Sequence, residues 1–200
     1  MDVRRTFTPQ TVDETTYYKL LTSTVVPRPI AWVSTISADG VPNLAPYSFF
    51  TVASSVPPVV QFTSIGRKDS LRNIEATGEF VINLATEALF EEVNATSANY
   101  ESSISEFSAV GLAEEPSETV RPPRVAQSPV SIEATLNRVV EVGNAFVVMG
   151  DVTMITVQAE HLADDDLPAF DSLAPLSRLG RNEWGLPPAV RTIDRPTTPR

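Results

Sequence analysis

The sequence of 200 residues contains no cysteine and only one histidine. Disulfide frameworks, thiolate metal sites and cysteine nucleophiles are therefore excluded. If the protein is an enzyme, we expect a bound cofactor to carry the chemistry. The histidine, His161, stands near the acidic residues 164–166. We interpret it as a surface histidine beside a solvated loop and predict no metal site, because a hard cation needs more oxygen ligands than this loose run guarantees.

Long hydrophobic runs and an excess of positive charge are also missing. No apolar run reaches the ~18 residues of a membrane-spanning helix, and residues 1–5 lack the apolar segment of a secretory signal. The formal net charge of −10 disfavours nucleic acid and anionic membranes as partners, because both bind positive surfaces. We therefore expect a cytoplasmic protein that binds neither of them.

The length and composition are typical of one globular domain. We predict this domain over residues 1–185 and a proline-rich arm or tail over residues 186–200, where the chain is weakly hydrophobic. Strand patterns far outnumber helical ones, which predicts a mainly β fold that forms a closed or partly closed barrel with a few short helices. The predicted strands cover residues 25–37, 41–53, 59–65, 80–86, 130–142 and 145–160.

Turn and breaker residues refine this prediction. Pro42 and Pro46 cannot donate to a strand ladder, so the second strand should be an edge or contain a bulge. A helix over residues 69–77 should be capped by Asp69 or Ser70 and end at Gly78. A further helix is predicted over residues 87–98, and residues 114–129 are expected to be irregular.

Residues 146–149 are apolar at every position, in the middle of a predicted strand. A small barrel has one interior, so the second face of this strand needs cover from a helix of the same chain or from another subunit. The sequence alone leaves both possibilities open.

A basic and hydroxyl cluster, Arg67, Lys68 and Ser70, stands where the third strand gives way to a helix. Helix N-termini bind phosphate through unpaired N–H groups and partial positive charge. The cluster therefore suggests a phosphate site, although a capped, solvated surface turn explains the same residues. Upstream, polar and aromatic residues 43–50 surround the prolines of the predicted edge strand. Such an edge could offer free backbone groups to a planar heterocycle, or it could be an ordinary edge strand.

Residues 27–35 (PRPIAWVST) and 39–50 (DGVPNLAPYSFF) resemble the flavin reductase-like FMN-binding family that includes flavoredoxin. The similarity continues in the same order through the prolines at 57–58, residues 67–74 (RKDSLRNI), residues 79–83 (EFVIN) and residues 175–180 (PLSRLG). Together these blocks span most of the chain.

The resemblance implies a split β-barrel homodimer with one FMN per subunit near the dimer interface. It implies that Arg67, Lys68 and Ser70 hold the phosphate and that Arg178 lies close to the flavin. The candidate ring-binding and neighbouring residues are Asn43, Ala45, Pro46, Tyr47, Ser48, Thr63 and Ser64.

The activity implied is transfer of hydride from NAD(P)H to flavin, with no protein side chain required as a catalytic acid or base. A partner oxygenase is a further expectation. The chain departs from the family pattern at Arg181 and Trp184, and its final hairpin turn, residues 143–146, lacks the histidine of many reductases. A non-catalytic FMN-binding electron carrier or flavin store, and a barrel that binds another anionic ligand, are the alternatives.

Overall fold

The computed structural model describes residues 4–197. Its helices are α1 (Glu14–Thr24), α2 (Asp69–Thr77), α3 (Phe90–Ala95), α4 (Glu106–Val110) and α5 (Phe170–Leu173). Its strands are β1 (Arg28–Pro29), β2 (Ala31–Ile36), β3 (Pro42–Tyr47), β4 (Phe50–Ser55), β5 (Pro58–Ile65), β6 (Glu79–Leu84), β7 (Glu114–Glu115), β8 (Arg124–Val125), β9 (Val130–Val142), β10 (Ala145–Val157), β11 (Ser177–Arg178) and β12 (Trp184–Gly185). The prediction of a mainly β fold with few short helices is confirmed.

One sheet of seven strands dominates the structure, in the order β3-β2-β6-β9-β10-β5-β4. Its two edge strands, β3 and β4, follow each other directly in the chain, so the connection at Ser48 and Phe49 brings the sheet edges together. The backbone N–H of Thr63 on β5 donates to the Phe49 carbonyl at 2.9 Å across this junction. The sheet therefore curls into a barrel.

The predicted edge character of the proline-containing strand is confirmed for β3, which pairs only with β2 in this sheet. The prediction of a single strand over residues 41–53, interrupted at its prolines, is wrong. The chain leaves the ladder after Tyr47, and β4 then pairs with β5 on the opposite edge. The first predicted strand, residues 25–37, is likewise divided into β1 and β2, which belong to different sheets.

Two buried clusters hold the barrel together. One lies between the sheet and α2 and contains Phe62, Phe80 and Leu71. The other packs Trp32 of β2 together with Val93 of α3 and Phe107 of α4. The indole N–H of Trp32 is satisfied by the Thr96 hydroxyl at 2.9 Å, so the loop after α3 is tied to the core.

Several predicted boundaries change. Helix α2 ends at Gly78, which adopts φ 75° as expected of a left-handed cap, but its N-cap is Lys68 and no side chain caps it. Residues 87–98 form a 3₁₀ turn, Glu87–Leu89, followed by the short α3. Strand β10 stops at Val157 before a second 3₁₀ turn. Within the expected irregular stretch, β7 and β8 form a small ladder.

In the chain from residue 4 to residue 197, no helix is long and apolar enough to cross a membrane. Residues 186–197 carry no regular secondary structure, while residues 198–200 lie outside the described part. The predicted division into a domain over 1–185 and a C-terminal arm or tail stays a prediction.

Candidate functional site

Three adjoining pockets form one continuous groove along the junction between the edge strands. We name them the helix-side lobe (about 220 Å³), the middle lobe (about 190 Å³) and the arginine-side lobe (about 160 Å³). Lys68 lines the first two lobes, whereas Pro46 and Ser48 line the last two. Ser97, in the loop after α3, lines all three. The groove therefore extends from the start of α2 to the C-terminal strands.

The helix-side lobe lies at the N-terminus of α2. Because no side chain caps this helix, its first backbone N–H groups are free to bind a ligand. Lys68 is exposed and lines the lobe. Ser70 is buried, and its Oγ accepts a hydrogen bond from the Asn43 side chain at 2.9 Å. The hydroxyl proton of Ser70 is left to donate, so the lobe offers N–H, ammonium and hydroxyl donors together, which suits an anion.

The acidic residues of this lobe are already engaged. Asp69 forms an ion pair with Arg72, which offsets its charge beside the helix start. Glu106 is buried, and its Oε2 accepts the Leu44 backbone N–H at 2.8 Å. Burial raises the pKa of Glu106 above its ordinary value, which favours the neutral form. These two carboxylates therefore repel an anion bound in the lobe less than free carboxylates would.

Tyr47 lines the middle lobe, and its buried hydroxyl is unsatisfied. Its side chain is buried and lines that lobe, and the hydroxyl has no hydrogen-bond partner among the described residues. Burial raises the pKa of Tyr47, so the hydroxyl keeps its proton. Buried polar groups are nearly always paired in native proteins. The Tyr47 hydroxyl is an exception, and it is enclosed in the core, where the Tyr47 ring packs against Phe62 with centroids 4.7 Å apart.

The remaining walls of the middle lobe come from β3, β5 and α1. Thr63 lines it together with Ile65, Phe49 and Tyr18. Ser64, the other predicted residue of β5, is fully buried and donates instead to the Gly66 carbonyl at 2.9 Å. Its contribution is to hold the turn that leads into α2.

The C-terminal segment contributes Arg178 and Trp184 to the arginine-side lobe. Arg178 stacks over the Trp184 ring with its guanidinium carbon 4.7 Å from the ring centroid. Trp184 in turn packs edge-to-face on Phe90 with centroids 5.0 Å apart. The remaining lining residues are Ile30, Pro46, Ser48, Asn94 and Ser97. The lobe thus combines apolar walls, a cation and an amide.

The structure brings most of the predicted cofactor residues to this groove and leaves three outside its lining. Arg67 forms an ion pair with Glu75 and lies over the Phe146 ring. Ala45 pairs with Val33 inside the sheet, and Ser64 lies behind the wall. The predicted residues that line the groove are Asn43, Pro46, Tyr47, Ser48, Thr63, Lys68, Ser70 and Arg178.

The sequence did not predict that the loop after α3 and helix α1 line the groove. Ser97, Asn99 and Tyr100 line the helix-side lobe, and Tyr18 of α1 lines the middle one. Loop residues carry no periodicity, so no local pattern predicts that this loop folds back over β3. The only available signal is composition, since residues 94–103 are rich in serine and asparagine.

The chain is similar in sequence to known proteins. The family described as "Flavin reductase like domain" matches residues 22–172. An uncharacterized protein of Aquifex aeolicus (strain VF5) is 38% identical over 180 residues, which cover 87% of this chain and 91% of that protein.

The fold is also similar to those of solved structures. Nitrilotriacetate monooxygenase component B from Bacillus cereus superposes with a TM-score of 0.92 at 30% identity, covering 96% of this chain and 100% of that one. A split-barrel-domain protein from Shewanella frigidimarina NCIMB 400 has a TM-score of 0.85 at 19% identity, with coverage of 94% and 96%. The second match supports the split-barrel fold alone. The chain belongs to the flavin reductase-like family and has its split-barrel fold.

Proposed function

We propose that this protein is an FMN-binding NAD(P)H:flavin oxidoreductase. The observation that carries the proposal is the continuous groove, which joins an uncapped helix N-terminus with Lys68 and Ser70 at one end to Arg178 and Trp184 at the other. An elongated ligand with one phosphate end and one planar end matches this order of groups.

Each part of the groove has a defined task in this proposal. Lys68, Ser70 and the first N–H groups of α2 bind the phosphate. Tyr47 and Thr63 line the groove beside the middle of the ligand. The break in the ladder after Tyr47 leaves Ser48 at a bend between two edge strands, where backbone groups are free to bind the polar edge of a ring.

The chain's own residues serve the reaction by positioning and by excluding water. FMN supplies the hydride-accepting centre when it is bound. The apolar side chains of Ile30 and Trp184 keep water from the arginine-side lobe, and Arg178 adds positive potential close to the planar end of the ligand. No protein side chain needs to transfer a proton. We therefore assign no catalytic acid or base.

The proposal extends to partners. One structural relative is component B of a monooxygenase, which supports a two-component system in which this protein delivers electrons to a partner oxygenase. We also propose that the protein is a cytoplasmic homodimer. A non-catalytic FMN-binding electron carrier remains the second candidate, because the groove argues for binding more directly than for turnover.

Stopped-flow spectroscopy tests the proposal. Anaerobic protein saturated with FMN is mixed with excess NADH or NADPH, and the flavin absorption band is followed. We expect at least one nucleotide to bleach the band within seconds. If dithionite bleaches it and neither nucleotide does, the carrier function replaces the reductase; if no flavin binds at all, both are wrong.

A further inference from the structure

One buried carboxyl group lies among the donors of the helix-side lobe. Glu106, the first residue of α4, lines this lobe together with Lys68 and Ser70. Its relative exposure is 7%, and a glutamate is rarely buried to this extent unless a cation is paired with it. Within residues 4–197, no basic group lies at ion-pair distance from Glu106. The lobe that suits an anion therefore contains an acid without a counter-charge.

The two carboxyl oxygens of Glu106 have different surroundings. Oε2 accepts the Leu44 backbone N–H at 2.8 Å, so it satisfies an N–H of the edge strand β3. Among the described residues, Oε1 accepts no hydrogen bond from another residue, and it is not one of the fully enclosed side-chain atoms that lack a partner. Because Glu106 lines the helix-side lobe, Oε1 is the oxygen that is available to a ligand there.

The groups around Glu106 do not supply the missing counter-charge. The other carboxylate that lines the lobe, Asp69, is paired with Arg72. Helix α4 has no second charged residue. Strand β3 contributes only Tyr47, which keeps its proton because burial raises its pKa. The remaining titratable groups that line the lobe are Lys68, Arg72 and Tyr100.

A phosphate bound in the lobe would favour the neutral form of this acid. Burial raises the pKa of Glu106, the N–H groups of Leu44 and of Glu106 itself lower it, and the negative charge of Asp69 raises it further, with a net rise. A phosphate dianion adds a second negative charge nearby and acts in the same direction as Asp69. A neutral carboxyl group has an O–H to donate, and its hydrogen bond to an anionic oxygen is short and strong.

We propose that Glu106 binds the phosphate end of the flavin as a neutral carboxylic acid, and that the proton it donates is taken up from solvent when the phosphate binds. The inference rests on the proposed function, because it takes the helix-side lobe as the phosphate site. It adds a binding residue that is acidic and couples flavin binding to pH. By linkage, FMN affinity is highest at low pH and falls as the pH rises above the pKa of Glu106 in the flavin-free protein.

Titration calorimetry counts this proton directly. FMN or riboflavin is titrated into the full-length protein between about pH 7 and pH 9, in buffers of different ionisation enthalpy, and the buffer dependence gives the protons exchanged on binding. We expect FMN to take up as much as about one proton within this range and riboflavin, which has no phosphate, to take up none. The phosphate of FMN does not give this signal, because its second pKa is near 6 and a cationic site makes it release a proton.

Matched variants assign the proton to Glu106. Glu106→Gln keeps an oxygen for the Leu44 N–H and offers an amide N–H where the acid offers its proton. Its FMN affinity should stay within about threefold of the wild type near pH 6 and exceed it by at least about tenfold near pH 9, where only the wild type must take up a proton to bind. Glu101→Gln is the control, because Glu101 is exposed and does not line the lobe; it should keep the wild-type pH profile.

A purely structural role for Glu106 gives a different result. If the carboxylate only satisfies the Leu44 N–H, FMN binding takes up no proton, and Glu106→Gln has the same pH profile as the wild type. That result overturns this inference and leaves the proposed function intact. If neither flavin binds to the wild type, the proposed function is wrong and this inference is overturned with it. If Glu106→Gln does not fold, the proton count for FMN and riboflavin on the wild type decides.

Discussion

At the level of single residues, Lys68 and Arg67 are adjacent in sequence but have different surroundings. Lys68 lines two lobes of the groove, whereas Arg67 is paired with Glu75 and lines none of the three. The sequence offered no way to separate them, because both are basic residues before a helix. Only the direction of each side chain makes the distinction.

The first prediction uses this matched pair. Lys68→Ala should weaken FMN binding about 10- to 100-fold, since hydrogen bonds to charged groups contribute about 1.5–3 kcal/mol. Arg67→Ala should change FMN affinity by less than about threefold, because its guanidinium is already held by Glu75. Fluorescence titration with FMN and riboflavin measures both. If Lys68→Ala lowers riboflavin affinity as much as FMN affinity, the lysine does not bind the phosphate.

Glu133 is the residue for which the structure predicts a pH dependence of stability. It is fully buried and accepts hydrogen bonds from the backbone of Glu118 and from both the backbone and the hydroxyl of Thr119. Desolvation by itself would raise its pKa, but these bonds and the charge of Arg124 outweigh it, so the net pKa lies below the ordinary 4.5. The folded state therefore favours the ionised carboxylate.

Glu133→Gln should accordingly lower the free energy of unfolding at neutral pH, by about 1–3 kcal/mol for the lost charged hydrogen bonds. Because the folded pKa is depressed, the stabilisation by Glu133 is fully present above pH 4.5 and is lost as the pH falls through the lower folded value. Urea unfolding at pH 7 and at pH 3.5 measures the difference between the two proteins. A difference that grows on acidification would contradict the assignment.

At the level of elements, the sequence predicts regular strands well and predicts poorly where the chain changes sheet. The sequence predicts the long hairpin of β9 and β10 because two strand-like runs on either side of a Gly-Asn turn are local signals. The division between β3 and β4 was missed because residues 41–53 keep a strand-like composition throughout. The transfer to the opposite edge depends on closure of the barrel, which is a non-local event. The loop after α3 was missed for the same reason.

The prediction at the level of elements concerns Gly150, a glycine in β10. A Cβ added at Gly150 would overlap the Phe80 ring and lie 3.1 Å from the Ala134 Cβ, at an irregularity in the β9–β10 register. Gly150→Ala should therefore cost about 1–3 kcal/mol of unfolding free energy through overpacking. Thr51→Ala, on the exposed face of β4, is the control and should change it by less than about 0.5 kcal/mol. Thermal denaturation of both variants measures these changes in unfolding free energy.

At the level of the whole molecule, the barrel leaves apolar side chains on its outer face. Both faces of residues 146–149 are expected to be buried, but the chain itself fully buries only one of them. Phe146 and Val148 point into the core, while Val147 and Met149 remain partly exposed. Val147 pairs with Val140 on β9, which is 39% exposed.

Val140, Val147 and Met149 form an outer apolar patch, and this patch adjoins the groove. Residues 145–149 of β10 pair with residues 61–65 of β5, and Thr63 and Ile65 of that stretch line the middle lobe. A second subunit packed on the patch would therefore reach the edge of the ligand groove. Dimer formation and ligand binding should then stabilise each other, because each favours the same arrangement of β5.

The last prediction follows from this continuity. We expect a homodimer in solution, with sedimentation at twice the chain mass of 21.7 kDa. Val140→Glu should shift the protein to monomer at micromolar concentration, because an unpaired charge is costly in an apolar interface, and should weaken FMN binding together with dimerisation. Val56→Glu is the control, since Val56 is 89% exposed and lies off the patch. A wild-type monomer with FMN bound would contradict the dimer, and a monomeric Val140→Glu with unchanged FMN affinity would show that the groove is complete within one chain.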